Sequence, residues 1–276
     1  MSDQTQRLAR LFDAVADTYD QVGVDFFGPI AAGLVDELNP QPGERAFDLG
    51  CGRGAVLLPV ARRVGSRGSV VGADLSSRMV EHCRDLVAAD GLSNVEVILL
   101  DAQHPDATSL GSPADLVSSS LVVFFLPDPA SALAQWRDLL VPGGRLGITT
   151  FGEQDPAWSR VDDVFDPYLP PQQLDARTSG ASGPFGSDAG VEQLLGDAGF
   201  VDLRTVTRRV EVRFDDAGHW YAFSMSVGQR AFWMSVPEGR RSDVRAEASR
   251  RIQAAADADG SVTFWQDVRY TLGRRP

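Results

Sequence analysis

The 276-residue chain predicts a doubly wound α/β domain. Two observations carry that reading, and the length supports it. Around Phe47-Asp48-Leu49-Gly50-Cys51-Gly52-Arg53-Gly54 the chain passes from a short apolar segment through a glycine turn into an apolar run, Ala55 to Val64. That is the strand, turn and helix start of a ligand-binding α/β unit. Three successive apolar segments then end in an acid: Asp48, Asp74 and Asp101. Single carboxylates at strand ends are common, but three at these spacings beside a glycine turn are hard to obtain by chance. The length suffices to bury a full α/β core with an added cap.

In chain order, residues 5 to 19 carry a helical stripe of Leu8, Leu11, Phe12, Val15 and Tyr19, leading into Tyr19-Asp20 and the aromatic pair Phe26-Phe27. Pro29 is expected at the first position of a helix that continues from Ile30 to Leu38. Arg45 to Leu49 follows the turn Pro42-Gly43 as the first strand, and Ser69 to Ala73 is the second, ending at Asp74. Ser76 caps a helix to Ala89, although Glu81 lies too far along to complete a capping box. Val95 to Leu100 and Ala114 to Leu121 are the third and fourth strands. Ala130 to Leu140 is a helix closed by Pro142-Gly143-Gly144, and Arg145 to Thr150 is the fifth strand. From Gly152 to Gly186 periodicity fades, which predicts a flexible insert. Asp188 opens a helix ending at Gly199, and Phe200 to Phe214 is a long strand. Residues 215–261 hold His219-Trp220-Tyr221, Phe223, Phe232-Trp233 and a helix from about Ser242 to Ala256, before a last strand, Val262 to Leu272.

Composition narrows the function. The chain is 43% apolar and 23% charged, with a formal charge of −12. Such a surface repels nucleic acid phosphates and anionic lipid, so neither is expected as a main partner. The two cysteines, Cys51 and Cys83, give no disulfide framework and no zinc spacing. The start MSDQTQRLAR has no apolar signal core, and no apolar run reaches membrane-spanning length. A cytoplasmic protein, monomer or homodimer, acting on a small molecule is the expectation.

The glycine spacing also fits G-x-G-x-x-G/A, with Ala55 in the third place, so it alone does not separate a dinucleotide from another adenosine cofactor. Asp48 separates them. A carboxylate two residues before the first glycine repels a pyrophosphate and suits an ammonium or other cation. D-x-G-x-G-x-G resembles the first motif of class I S-adenosylmethionine (SAM)-dependent methyltransferases. D-L-S-S-R-M at 74–79 resembles the second motif, and A-D-L-V-S-S-S-L-V-V-F-F-L-P-D-P resembles the fourth, with Phe124-Phe125 replacing the usual polar pair. F-D-A-V-A-D-T-Y-D resembles the N-terminal segment of the ubiquinone/menaquinone-type and small-molecule enzymes, and L-V-P-G-G-R-L is also usual for the family.

The resemblance covers residues 9–150. It implies a Rossmann-like seven-stranded sheet with the last strand antiparallel. It implies SAM as cofactor, held by Tyr19, Asp48, Gly50, Cys51, Gly52, Asp74, Leu75, Met79, Asp101, Ala102 and Ser120. Among these, Asp74 suits the ribose hydroxyls, Met79 packs on adenine, Asp101 accepts the adenine amino group beside the Ala102 backbone, Ser120 meets the SAM amino end, and Tyr19 closes over the methionine end. One domain then spans 1–276: a helical cover at 1–40, a SAM-binding core at 41–150, and cap insertions at 152–186 and 215–261. The cap is expected to lie over the carboxyl ends of the strands, with Phe26, Phe124, Trp158, His219 and Trp220 facing the acceptor.

The implied reaction is direct methyl transfer to O, C or N of a small molecule, expected to be a secondary metabolite. The protein aligns nucleophile, methyl and sulfur and excludes water, and aromatic faces favour a sulfonium. An acceptor that must lose a proton needs a base. Of the three histidines, His82 lies mid-helix, His104 follows Asp101, and His219 sits among the cap aromatics as the base candidate. Asp162, Asp163 and Asp166 cluster in the first insert, but clustered loop acids are more often solvated than metal-binding, so no metal is expected. Two other readings stay open: a dinucleotide oxidoreductase, which fits the glycines but not Asp48 or Asp101, and a SAM-binding cyclase of natural-product intermediates, which shares every motif.

Overall fold

The computed structural model describes residues 3–111, 113–169 and 183–276, so the middle of the first expected insertion lies outside the described residues. In chain order the elements are α1 (Asp3–Val15), α2 (Phe27–Leu38), β1 (Arg45–Leu49), α3 (Leu57–Val64), β2 (Ser69–Asp74), α4 (Ser77–Ala89), β3 (Val95–Leu99), α5 (Ala107–Leu110) and β4 (Ala114–Ser120). They continue with α6 (Pro129–Asp138), β5 (Leu140–Gln154), α7 (Pro156–Asp162), α8 (Asp188–Asp197), β6 (Val201–Phe214), α9 (Ala217–Ser226), α10 (Arg230–Ser235), α11 (Arg241–Ala255) and β7 (Val262–Arg274).

The seven strands form one sheet in the order β3-β2-β1-β4-β5-β7-β6. β1 to β5 run parallel, and β7 is antiparallel to both β5 and β6. The core strands are buried on both faces: Ala46, Phe47 and Leu49 of β1, and Leu116 and Val117 of β4, are each at most 1% exposed. Continuous apolar strands covered by helices on both sides are what a parallel sheet requires. One apolar cluster joins α2, α3 and the cap helices to one face, and another joins α6 and α8 to the other. Strand order reverses between β1 and β4, and an open α/β sheet binds ligands in the crevice at such a switch point.

Side-chain caps set several helix starts. Ser76 Oγ accepts the Met79 N–H at 3.1 Å, Asp128 Oδ1 the Ser131 N–H at 3.0 Å, and Asp216 Oδ1 the His219 N–H at 2.8 Å. Several boundaries differ from expectation; among them, β5 starts at Leu140 and so takes in Pro142-Gly143-Gly144, which were expected to close the preceding helix. α1 stops at Val15 because the N–H groups of Thr18 and Tyr19 both turn back onto the Val15 carbonyl, and Asp20 takes a left-handed φ of 56°. Tyr19 and Asp20 therefore lie in a turn rather than on the helix. α2 begins at Phe27, so Pro29 is its third residue, still within the first turn where no N–H is needed. α3 begins at Leu57 rather than Ala55, since the glycine turn runs on through Gly54 at φ 92°. β5 continues to Gln154 by pairing with Gln266 of β7, so Gly152 to Gln154 belong to the sheet and not to the insertion. Among the described residues no helix is long and apolar enough to cross a membrane.

Candidate functional site

The site is built on the turn after β1. The Gly50 and Cys51 N–H groups both donate to the Ala73 carbonyl, at 2.7 and 2.9 Å, which folds the turn against the end of β2. Gly50 has φ 76°, and a Cβ there would stand 2.3 Å from Val122 Cγ2; no other residue fits. Asp74 locks the turn, since its carboxylate accepts the Gly52 N–H at 2.8 Å and the Ser76 N–H at 2.9 Å.

Around this turn lie two chambers that share Tyr19, Gly50, Gly52 and Ser120. The first, about 90 Å³, is lined also by Asp74, Leu75, Met79, Asp101 and Ala102. The second, about 290 Å³, adds Asp48 and Cys51. The structure thus brings all eleven residues expected around the cofactor onto one two-chambered cleft at the switch point.

The two ends differ in chemistry. In the first chamber Asp101 Oδ1 accepts the Gln103 N–H at 2.9 Å. Gln103 and Asp128 exchange two hydrogen bonds of 2.9 Å, and Trp136 Nε1 donates to the Ala102 carbonyl at 2.8 Å. These contacts pin the Asp101 loop to the segment after β4. In the second chamber Asp48 is 2% exposed. Its Oδ1 accepts from Ser118 Oγ at 2.7 Å, while Oδ2 has no hydrogen-bond partner among the described residues. Burial pushes the carboxyl up to about 7, with the charge of Asp74 adding to it and the Ser118 bond opposing it. Burial also raises Asp74 and Asp20, and it raises Tyr19, whose phenol stays protonated. For Cys51, contact with the Cys83 thiol and burial raise the thiol. A buried carboxylate oxygen with no partner beside a glycine cradle suits an ammonium, and the apolar and aromatic first chamber suits a flat base. On these observations the residues present fit SAM.

α1 roofs the first chamber through Thr5, Leu8 and Phe12, of which Leu8 and Phe12 belong to the helical stripe of the expected N-terminal cover. The roof is clasped to α4: Ser76 Oγ donates to Asp13 Oδ1 at 2.6 Å, and Arg78 and His82 both reach Asp17. Arg53 Nη1 donates to the Ala16 carbonyl at 2.8 Å. Beneath, Thr149 Oγ1 contacts Ser120 Oγ and accepts the Leu121 N–H, both at 2.9 Å, holding Leu121 at a left-handed φ of 58°. These side chains lack a local signal because their partners are distant in sequence.

The residues expected to face the acceptor do not line either chamber. Phe26 meets Phe27, Trp158 and Phe223 edge-on, and Trp158 stacks on Phe264 at 5.6 Å. Phe124 packs on Phe125 and Phe151, and Trp220 packs on Trp233 inside the cap. The cluster joins the cleft through Phe27 at the second chamber and Phe125 at the first. His219 is engaged at both ring nitrogens: Nδ1 accepts the Asp215 N–H at 3.2 Å, and Nε2 donates to the Val22 carbonyl at 2.8 Å. Its ring is a latch between cap and cover and has no lone pair free for a substrate proton. His104 is exposed. Asp162 accepts from Gln154 and Gln229.

Residues 46–144 match a family described as a methyltransferase domain. Over its whole length the chain is similar to the nocamycin O-methyltransferase of Saccharothrix syringae: 38% identical, covering 96% of this chain and 97% of that one. It is 39% identical to the aklanonic acid methyltransferase of Streptomyces sp. strain C5 over 63% of this chain and 78% of that one. Among solved structures, a 4+2 cyclase shares the fold, with a TM-score of 0.53 and 19% identity over 90% of this chain and 80% of that one.

Proposed function

The chain belongs to the class I SAM-dependent methyltransferases, and from that premise we propose that it methylates an oxygen of a small, acidic secondary metabolite. The observation that carries the cofactor side is the convergence of the eleven cofactor residues on one cleft at the β1/β4 switch point. Bound SAM supplies a methyl carbon activated by a sulfonium. In this reading Asp74 holds the ribose hydroxyls, Asp101 and the Ala102 backbone meet the adenine amino edge, and Leu75 and Met79 pack on the ring. Asp48, Gly50, Cys51, Gly52 and Ser120 take the amino acid end. Tyr19 and Phe27, stacked at 4.6 Å, present aromatic faces that favour a cation and exclude water.

Oxygen as the acceptor atom is supported by the full-length likeness to an O-methyltransferase. Acidity of the acceptor is supported by His219, whose nitrogens are both committed to backbone groups. An acceptor that is already ionised near neutral pH, a carboxylate or an acidic enol, needs no protein base. The name of the aklanonic acid relative agrees with an acid. Phe27 at the second chamber and Phe125 at the first offer apolar, flat walls for a cyclic substrate.

The test is incubation of the purified protein with deuterium-labelled SAM and a panel of cyclic carboxylic acids, phenols and amines, read by mass spectrometry. Labelled methyl esters or ethers with S-adenosylhomocysteine as co-product are expected. A labelled methyl group on nitrogen or carbon overturns the oxygen assignment. A product of unchanged mass would make the chain a cyclase, a reading that the shared fold alone leaves standing.

A further inference from the structure

Asp48 sits in the middle of the sheet, opposite Gly72 of β2 and Ser118 of β4, and its side chain opens onto the second chamber. One oxygen is bonded to Ser118; the other is buried and without a partner among the described residues. A buried polar atom left unpaired costs free energy, and a buried unpaired charge costs more. Such an atom on a ligand-sized chamber calls for an explanation.

The groups that face it offer no counter-charge. At the end of β2 stands Asp74, of the same sign. In the turn, Cys51 keeps its proton, and the Arg53 guanidinium donates to the Ala16 carbonyl and is not among the charges that shift Asp48. On α3, the Leu57 N–H exerts a small pull that favours the charged carboxylate but does not reach hydrogen-bonding geometry with Oδ2, and Arg62 is paired with Asp90. From the N-terminal cover come Tyr19, which stays neutral, Gln21, and Asp20, again an acid. From α4 come Cys83 and Leu86.

Resting on the reading of this chamber as the place of the cofactor's amino acid end, we propose that Asp48 is uncharged in the ligand-free protein and expels its proton when an ammonium docks against Oδ2, so that SAM binding releases one proton. The balance is simple. The carboxyl O–H breaks, the proton leaves to buffer, and the carboxylate is held by the ligand's cation. The burial that pushes this carboxyl to about 7 sets the range in which the release is seen. The ligand's cation pulls the bound value down, so affinity climbs with pH up to about 7, and it falls again where the ligand's own ammonium ionises, at about 8.

Calorimetry of SAM binding in two buffers of different ionisation enthalpy reads the proton directly. At pH 6, about 0.9 proton released per SAM is expected, falling as pH rises through 7. The dissociation constant should drop about tenfold per pH unit from 5 to 6.5. S-adenosylhomocysteine, which keeps the ammonium and lacks the sulfonium, should release the same proton, and 5′-methylthioadenosine, which lacks the ammonium, none. Asp48→Asn should bind SAM more weakly, with no release and a flat profile over the same range. Ser118→Ala, which removes the donor to Oδ1, should shift the profile to higher pH. SAM binding with identical heats in both buffers, or equal release by methylthioadenosine, overturns the proposal and leaves the cofactor reading intact. No binding of SAM in any buffer overturns both.

Discussion

The imidazole of His219 reaches the Val22 carbonyl across 2.8 Å and 197 positions of sequence, tying the start of α9 to the N-terminal cover. A residue so placed braces two elements that roof the same region. His219→Ala is expected to cost about 1–2 kcal/mol of stability, two hydrogen bonds' worth. Turnover at saturating substrates should stay within a few-fold of wild type. A general base would cost about 10²–10⁴-fold instead, so kcat of the folded variant decides between latch and base.

Asp74 has two duties, since the carboxylate that is to take the ribose hydroxyls also accepts the Gly52 and Ser76 N–H groups. Asp74→Ala should weaken SAM binding by about 1–3 kcal/mol, and it should also lower the melting temperature by loosening the glycine turn. Asp74→Asn, which keeps an acceptor oxygen, should lose less of both. Unchanged SAM affinity in a folded Asp74→Ala protein, measured by calorimetry, would remove the residue from the cofactor site.

Asp48 makes the ligand-free protein less stable as pH rises. The unfolded carboxyl ionises near 4, while the folded one keeps its proton up to about 7. Stability is therefore highest below 4 on this account and is lost through that window, by about 2–4 kcal/mol. Asp48→Asn should melt higher than wild type at pH 7.5 and about equal to it at pH 4.5, while binding SAM less well. Equal melting temperatures of the two proteins across the range would show that Oδ2 is solvated.

Much of this site was legible because its signals are local. Asp74 ends β2, Asp48 stands one residue before the end of β1, and Asp101 lies two residues past β3, so each acid's place in the sequence nearly fixes its place at the carboxyl end of the sheet. Gly50 announces itself through a turn no other residue can make. What stayed illegible depends on side chains meeting across the fold. The Asp13–Ser76 clasp spans 63 positions, and its helix stripe looked like ordinary core. His219 looked free because nothing near it in sequence reveals Val22. Trp158 and Trp220 looked like substrate walls because burial, not aromaticity, separates a wall from a core.

Trp220 is 1% exposed and packs edge-on against Trp233 at 6.2 Å, which itself donates to Ser224 Oγ at 2.8 Å. Removing that volume should collapse the cap rather than reshape an acceptor pocket. Trp220→Ala is expected to cost about 3–5 kcal/mol, whereas Trp220→Phe should keep most of the stability and the acceptor KM. Neither should change SAM affinity, because Trp220 lines neither chamber. A raised acceptor KM in a fully stable Trp220→Phe protein would return the residue to the substrate wall.

Tyr19 is the point where cover and cleft meet. Its ring stacks on Phe27 at 4.6 Å, stands edge-on to Phe12 at 6.3 Å, and lines both chambers. Burial and the charges of Asp74 and Asp20 raise the phenol, so it offers a hydrogen-bond donor and never an anion. The hydroxyl and the ring can therefore be separated by substitution. Tyr19→Phe keeps the ring, and SAM affinity should fall by about 1 kcal/mol, one hydrogen bond. Because the phenol does not titrate, the pH profile of that variant should overlay the wild type through the alkaline range. Tyr19→Ala also removes the wall shared by the two chambers and the partner that orients Phe27. Turnover should then drop well beyond the Phe variant, as water enters beside the reacting groups. Equal turnover of wild type and Tyr19→Ala at saturating SAM and acceptor would reduce Tyr19 to a packing residue of the cover.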